Sequence, residues 1–278
     1  MDAIAAYFSN PATLEKRKLR KLSDPSDCEW EIFAQTWSEH CKHKEFNAHI
    51  TIKNIDTGKT RVVDSIFKSR IKASTDFIHK SLNEKSFLVK VFNDNAGVIR
   101  LGKDKLFVWK VETHNTPSAL DPYGGAITGI LGNNRDAMGT GIGGAKTLFN
   151  TNVLCFGPKN YQKPLQKNQW HPLYIQEGVV AGIKDGGNQS GIPTVNGSVI
   201  YDERYAGKPL VFCGTGAIMP ERFAGKLSWE KPIAAGDLIF MAGGGVGRDG
   251  IHGATASSLE DTTNTPGTIV QLGSSMTQ

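Results

Sequence analysis

The sequence predicts a mixed α/β fold (α+β in its ordering) behind a helical region, on three observations. The 278 residues, 39% of them hydrophobic, are enough for one large or two ordinary domains with real cores. From residue 87 onward, short apolar runs rich in Val, Phe, Ile and Leu recur between Gly-rich connections: "FLVKVF", "LFVWKVE", "TNVLCFG", "LVFCGTGAIM" and "DLIFMAG". Between the third and fourth runs, "LYIQEGVVAGIKDGGNQSG" has helical spacing. Strands interleaved with helices build a sheet that the helices cover.

In chain order, residues 1 to about 45 read as helical, with Ser26 or Asp27 capping a helix that carries Trp30, Ile32, Phe33 and Trp37. Residues 46–64, "FNAHITIKNIDTGKTRVVD", alternate as two strands around an Asp56-Thr57-Gly58 turn. "SIFKSRIKASTDFIHKSL" reads as helix. The later helix is expected to end near Gly186 and Gly187, and a last strand to run from Asp237 to Met241 ahead of "GGGVGRDGIHGATASS". No period of about 20 to 50 residues repeats. The texture divides the chain at 1–86, 87–220 and 221–278. Only about 45 residues follow Pro232, too few for an independent core, so the third part is expected to be incomplete.

Lys and Arg outnumber Asp and Glu by 32 to 27, a net charge of +5. That mild excess suits phosphorylated small molecules, and a nucleic-acid partner is not expected from it. Cys28, Cys41, Cys155 and Cys213 are widely spaced, with no CxxC pair and no disulfide framework. The first residues lack the order of a signal peptide, and no run approaches the ~20 apolar residues of a membrane span. The expected location is the cytoplasm, without a membrane partner.

Chemistry concentrates in residues 108–129, "VWKVETHNTPSALDPYGGAITG". Lys110, Glu112 and His114 stand at i, i+2 and i+4, one face of an extended chain. Downstream, "GNNRDAMG" adds Arg135 and Asp136. Glu112 and Asp136, read near loop positions, are hard carboxylates suited to a Mg²⁺ that bridges substrate phosphates. Lys110 and Arg135 add the positive charge that a nucleoside triphosphate needs. Glycines 124, 125, 129 and 132 read as loop positions whose N–H groups can approach an anion. The bland alternative is two surface ion pairs. His114 is either an acid/base group tuned by Glu112 or a structural histidine. "WSEHCKHKEFNA" holds His40, Cys41 and His43, a partial zinc-like set with no second cluster to complete it, or a cysteine nucleophile with no visible base. "GRDGIHGAT", residues 247–255, is an anion-binding loop or a set of turns, and is not a Walker loop.

Together, "TWSEHCKHKEFNA", "KVETHNTPSALDPYGGAITGILGNNRDAMG", "GIPTVNGSVIYDERYAGKPLV" and "GRDGIHGATASS" resemble, in order, the synthetase part of the phosphoribosylformylglycinamidine synthase family. The resemblance runs from about residue 25 to the end. It implies a helical linker region, an aminoimidazole-ribonucleotide-synthetase-like N-terminal half-domain with a ferredoxin-like sheet, and the opening of a second half-domain. It also implies a carbon-nitrogen ligase of purine biosynthesis that uses ATP and Mg²⁺. The reaction converts formylglycinamide ribonucleotide and ammonia, released by a glutaminase domain or subunit, to the amidine through an iminophosphate. The remaining synthetase half is an implied partner, and this chain by itself is expected to be an inactive piece of a longer polypeptide.

Carried over by motif, Glu112 and Asp136 match metal ligands, and Lys110 and His43 match ATP contacts. Thr113, His114, Asn115, Thr116 and Arg135 match substrate contacts. His114 corresponds to the proton acceptor and His40 to a second active-site histidine. Small-form members of the family have Tyr where His43 stands, His where Thr116 stands and Gln where Ile200 stands. Ile200 offers no side-chain hydrogen bond. Two other readings stay open: a different ATP-dependent synthetase or kinase of the same fold group, and a non-catalytic nucleotide-binding or scaffolding module.

Overall fold

The computed structural model describes residues 2–19, 22, 25–36, 44–167, 169–240 and 242. Helices α1 (Asp2–Ser9) and α2 (Pro11–Leu19) meet α3 (Asp27–Thr36) around the buried ring of Phe8. Phe33 and Trp30 pack on that ring at centroid distances of 5.7 and 6.3 Å, and the Arg17 guanidinium lies 4.9 Å from its centroid. Arg17 then forks onto Glu29 at 2.7 and 2.9 Å. Glu29 Oε2 also accepts from the Ser26 amide at 2.8 Å, while Ser26 Oγ accepts from the Glu29 amide at 3.3 Å. That reciprocal pair is a capping box, so of the two expected caps Ser26 is the one used. One carboxylate thus starts α3 and fastens it to α2. Arg17 first, and then the Ser26 amide, hold its pKa at about 2. Trp37 lies outside the described residues.

After α4 (Lys44–Asn47), strands β1 (His49–Lys53) and β2 (Thr60–Asp64) pair antiparallel from His49↔Asp64 to Lys53↔Thr60. Their turn closes where Asn54 Oδ1 accepts from the Thr57 amide at 2.7 Å and Gly58 adopts φ +66°. A π-helical turn, Phe67–Lys72, leads into α5 (Ala73–Leu82). These match the expected hairpin and helix.

The main sheet takes β3 (Leu88–Lys90), β4 (Gly97–Arg100) and β5 (Lys105–Thr113), and the chain then turns through α6 (Asn115–Leu120) and α7 (Pro122–Met138). β6 (Lys146–Phe156), α8 (Pro172–Ser190) and β7 (Thr194–Tyr201) follow, and then β8 (Leu210–Pro220) with a small hairpin of β9 (Arg222–Phe223) and β10 (Lys226–Leu227). The six strands lie in the order β3-β4-β5-β8-β6-β7, with β6 and β7 parallel across the α8 crossover and the other neighbours antiparallel. The result is the expected mixed α/β architecture.

Two apolar clusters fill the interior. Ala126, Ile130, Val179 and Ile183 of the two long helices pack on Leu154, Phe156 and Val211, while Val98, Leu106, Val108, Ala217 and Met219 gather around Ala137. Between them, Asn134 Oδ1 of α7 accepts from Asn150 Nδ2 and from Thr215 Oγ1, each at 2.8 Å. These buried polar groups fix the height of α7 over the sheet. Among the described residues no helix is long and apolar enough to cross a membrane.

The structure corrects three expectations. Glycines 124, 125, 129 and 132, read as loop positions, lie within the helix α7. Asp121 caps it by accepting from the Gly124 amide at 2.9 Å, and Pro122 opens its first turn. Helix α8 does not end at Gly186 and Gly187 but runs to Ser190 and stops at Gly191, whose φ of +65° supplies the left-handed cap that those two lack. Gly186 is a packing position, since a Cβ there would lie 3.2 Å from Ile130 Cγ2. The strand expected from Asp237 is absent over residues 237–240, and Met241 lies outside the described residues. Leu238, Ile239 and Phe240 are 79%, 97% and 86% exposed and pair with no described strand. An apolar run forms a strand only beside a neighbour that takes its backbone hydrogen bonds.

Gly182→Ala tests the seat of α8 on α7. The added Cβ would stand 2.4 Å from the Tyr123 carbonyl oxygen, a backbone atom that cannot swing aside. Overpacking of about 1–3 kcal/mol should outweigh the about 1 kcal/mol gained in helix propensity, lowering the melting temperature. An unchanged or higher melting temperature would contradict the packing. Glu29→Gln tests the helical clamp. A carboxylate whose folded pKa lies below its unfolded value contributes stability above that value and loses it as pH falls toward the folded one. The melting-temperature gap between wild type and Glu29→Gln should therefore be full at neutral pH and shrink between about 4.5 and about 2.

Candidate active site

Strand β5 turns Leu106, Val108 and Lys110 inward, so its last turn-facing side chains come out under α7. The chain then bends at His114, whose φ of −127° and ψ of 59° break the strand and start α6. The His114 amide donates to the Val211 carbonyl at 2.9 Å, and Ser118 Oγ donates to the His114 carbonyl at 2.6 Å. Its ring Nδ1 meets the Gly125 carbonyl oxygen. A carbonyl only accepts, so Nδ1 carries the hydrogen and a neutral ring has its lone pair on Nε2.

Helix α7 comes close enough for that contact because it presents glycines there. A Cβ on Gly125 would stand 2.4 Å from the Pro117 carbonyl carbon, and one on Gly129 would stand 3.1 Å from His114 Cβ. Two turns on, α7 delivers Arg135 and Asp136 opposite β5. Lys110 Nζ lies 2.8 Å from Asp136 Oδ2 and 3.4 Å from Glu112 Oε2. These groups, with Thr113 and His114, line a cleft of about 260 Å³, and Thr128, Gly129, Gly132 and Asn133 complete its α7 wall.

The electrostatics are mixed. Burial draws the Arg135 pKa below the usual guanidinium range, with the Asp136 charge opposing the shift. Its Nη1 is buried with no hydrogen-bond partner among the described residues, a cationic donor at the wall of the cleft. Cys213, opposite Glu112 in the β5–β8 register, is fully buried. Burial, and then the Glu112 charge, push its thiol up to about 12.

Of the residues singled out by sequence, Lys110, Glu112, Thr113, His114, Arg135 and Asp136 share this cleft, whereas Asn115 and Thr116 do not line it. Asn115 Oδ1 accepts from the Val211 amide at 2.9 Å, tying α6 to β8, and Thr116 is buried. Ile200 lies exposed on the edge strand β7. His40, Cys41, His43 and residues 247–255 lie outside the described residues. The α7 wall escaped sequence reasoning because four glycines disguised a helix. The Asp121-Pro122 pair was the available signal, an N-cap followed by Pro in the first turn.

Among the described residues, no group of three or more His, Cys, Asp or Glu side chains converges as a metal cage. Glu112 and Asp136 do converge on one point of positive charge, the Lys110 ammonium. Two carboxylates suit a Mg²⁺ that keeps waters and takes its other oxygens from phosphates.

Residues 93–219 match the family model of the AIR synthase related protein N-terminal domain, and residues 1–44 match that of the formylglycinamide ribonucleotide amidotransferase linker domain. The matched stretch carries α7, the cleft and the main sheet from β4 onward, so this part of the chain is similar to that N-terminal domain. Across nearly its whole length the chain is similar to phosphoribosylformylglycinamidine synthase subunit PurL, in line with the resemblance carried by its motifs. The Thermoplasma volcanium PurL is 34% identical over 276 residues, covering 98% of this chain and 30% of the relative. The Picrophilus torridus PurL is 35% identical over 253 residues, covering 90% and 29%. A solved structure of Thermotoga maritima PurL complexed with FGAR matches with a TM-score of 0.55 and 26% identity over 97% of this chain and 35% of that one. The chain spans about 30% of the length of the curated relatives it matches.

A thiol held near 12 is not a nucleophile at neutral pH. At pH 8 iodoacetamide should modify the exposed Cys28 of the native protein and leave Cys213 unmodified, with Cys213 reacting only after denaturation. Peptide mass spectrometry reads both sites, and rapid labelling of native Cys213 would contradict its burial.

Proposed function

We propose that this chain supplies one wall of the synthetase site of a phosphoribosylformylglycinamidine synthase, a cytoplasmic carbon-nitrogen ligase of purine biosynthesis. The overall reaction joins formylglycinamide ribonucleotide, ATP and ammonia into the amidine, ADP and phosphate. The substrate's amide oxygen takes the γ-phosphoryl group, and ammonia then adds to the activated carbon as phosphate leaves. Ammonia comes from a glutaminase domain or subunit, and the other synthetase half completes the site. Residues 1–86 serve as the linker region, 87–220 as the first half-domain, and residues from 221 onward begin the second.

In this reading Glu112 and Asp136 hold Mg²⁺, which when bound neutralises phosphate charge. Lys110 and Arg135 meet the remaining negative charge of phosphate groups. Thr113 and Arg135 orient the substrate, with Asn115 and Thr116 supporting the turn behind them. His114 takes a proton at Nε2 as ammonia adds, its ring held by the Gly125 carbonyl. His40 and His43, outside the described residues, have the second catalytic role and an ATP contact by motif. One observation carries the reading most: Lys110, Glu112, His114, Arg135 and Asp136 share a single cleft, and a buried guanidinium nitrogen of Arg135 there has no partner among the described residues.

The test is formation of amidine and ADP from formylglycinamide ribonucleotide, MgATP and ammonium by the intact protein. Asp136→Asn should lower kcat/KM by about a hundredfold or more. His114→Ala should lower kcat with the ATP KM unchanged, and Lys110→Ala should raise the ATP KM. No ATP-dependent amidine formation would refute the function, and a wild-type kcat in folded His114→Ala would remove the proton-transfer role.

A further inference from the structure

The two carboxylates already share a cation. Lys110 Nζ stands 2.8 Å from Asp136 and 3.4 Å from Glu112, on a side chain only 10% exposed. Carboxylates drawn toward one point repel each other unless positive charge stands between them. The ammonium and a divalent cation are therefore alternatives for the same oxygen atoms, and holding both would crowd three positive charges into a few ångströms.

Resting on the reading of Glu112 and Asp136 as metal ligands, we propose that Lys110 is the resident counter-ion of the metal site. It bridges the carboxylates in the nucleotide-free protein and hands them over when the divalent cation enters. Its stem, leaving β5 toward Asp136 of α7, is largely buried, so only the flexible ammonium end has to swing. Arg135, whose Nη1 has no partner among the described residues, marks the wall of the cleft where anions are favoured. A displaced Lys110 ammonium needs a new negative partner, and a phosphate supplies one. Metal and nucleotide thus strengthen each other's binding, because the metal by itself must strand a largely buried cation, whereas metal and phosphate together exchange one set of ion pairs for another.

The experiment measures Mn²⁺ binding to the intact protein by electron paramagnetic resonance, without nucleotide or substrate. Lys110→Met should bind Mn²⁺ at least about tenfold more tightly than wild type, because the competing charge is gone. The gain in Mn²⁺ affinity caused by a non-hydrolysable ATP analogue should be smaller in Lys110→Met than in wild type. Equal or weaker Mn²⁺ binding by a folded Lys110→Met protein would overturn the proposal. Adding Glu112→Gln or Asp136→Asn to Lys110→Met tells the two readings apart. If neither weakens Mn²⁺ binding, the carboxylates are not the metal site. If both do and Lys110→Met alone fails to tighten it, only the counter-ion role is lost. Should Lys110→Met not fold, the wild-type protein carries the test. Mn²⁺ alone should speed acylation of Lys110 by an amine reagent several-fold relative to other lysines, and an unchanged or slower rate would overturn the handover.

Discussion

Asp136 reaches Lys110 because α7 lies close against the end of β5. Gly125 and Gly129 make that approach possible, since a methyl group on either would press into the 117–118 backbone or His114. The same approach carries a Gly125 carbonyl to the His114 ring and sets which ring nitrogen keeps its lone pair. A helix displaced outward by an ångström would weaken the Lys110 ion pair and the imidazole contact together. Reactive groups tolerate little misplacement, and a ~1 Å error can lower a rate about a hundredfold.

The second anchor of α7 is polar. Asn134 accepts from Asn150 and Thr215 in the zone between the two apolar clusters, one residue before Arg135. Apolar packing alone is non-directional and tolerates sliding, whereas a buried hydrogen bond fails if the helix rotates or shifts. The charged residues that follow Asn134 inherit that register. Arg135 and Asp136 therefore occupy defined positions, although their own side chains are only partly buried.

Beyond the C-terminal end of α7, the buried carboxylate of Asp94 does comparable work. Asp94 accepts from the Gly141 amide at 3.1 Å and pairs with Lys90 at 3.3 Å and with Lys231. Burial raises its pKa, and the Lys231 contact with the Asn95 and Gly141 amides more than reverses that. Lys90 also donates to the Trp229 carbonyl at 2.7 Å. The segment after β8 is thereby fixed beside the loop leaving α7. The Arg17–Glu29 pair of the helical region follows the same logic with more water around it, so its charge interaction is better screened.

Much of this was legible from residue order. The Val-, Phe-, Ile- and Leu-rich runs mark β3, β5, β6 and β8, Asp56-Thr57-Gly58 marks the hairpin turn, and the two-residue period places Lys110 and Glu112 along one side of β5, with His114 one residue past its end. These features follow from local geometry, which side-chain spacing encodes. What the tertiary structure alone decided is what each group meets. The glycines of residues 124–132 have low helix propensity in isolation and become helical because α7 must pass close to the 114–118 turn and α8. Residues 237–240 have a strand's composition without a described strand's backbone to pair with. Lys110 could have faced solvent, a phosphate or a carboxylate, and its position between Glu112 and Asp136 depends on a helix that begins twelve residues further along the chain. Spacing along a sequence fixes the direction in which a side chain leaves its own element, while the partner it finds depends on the packing of another element against it.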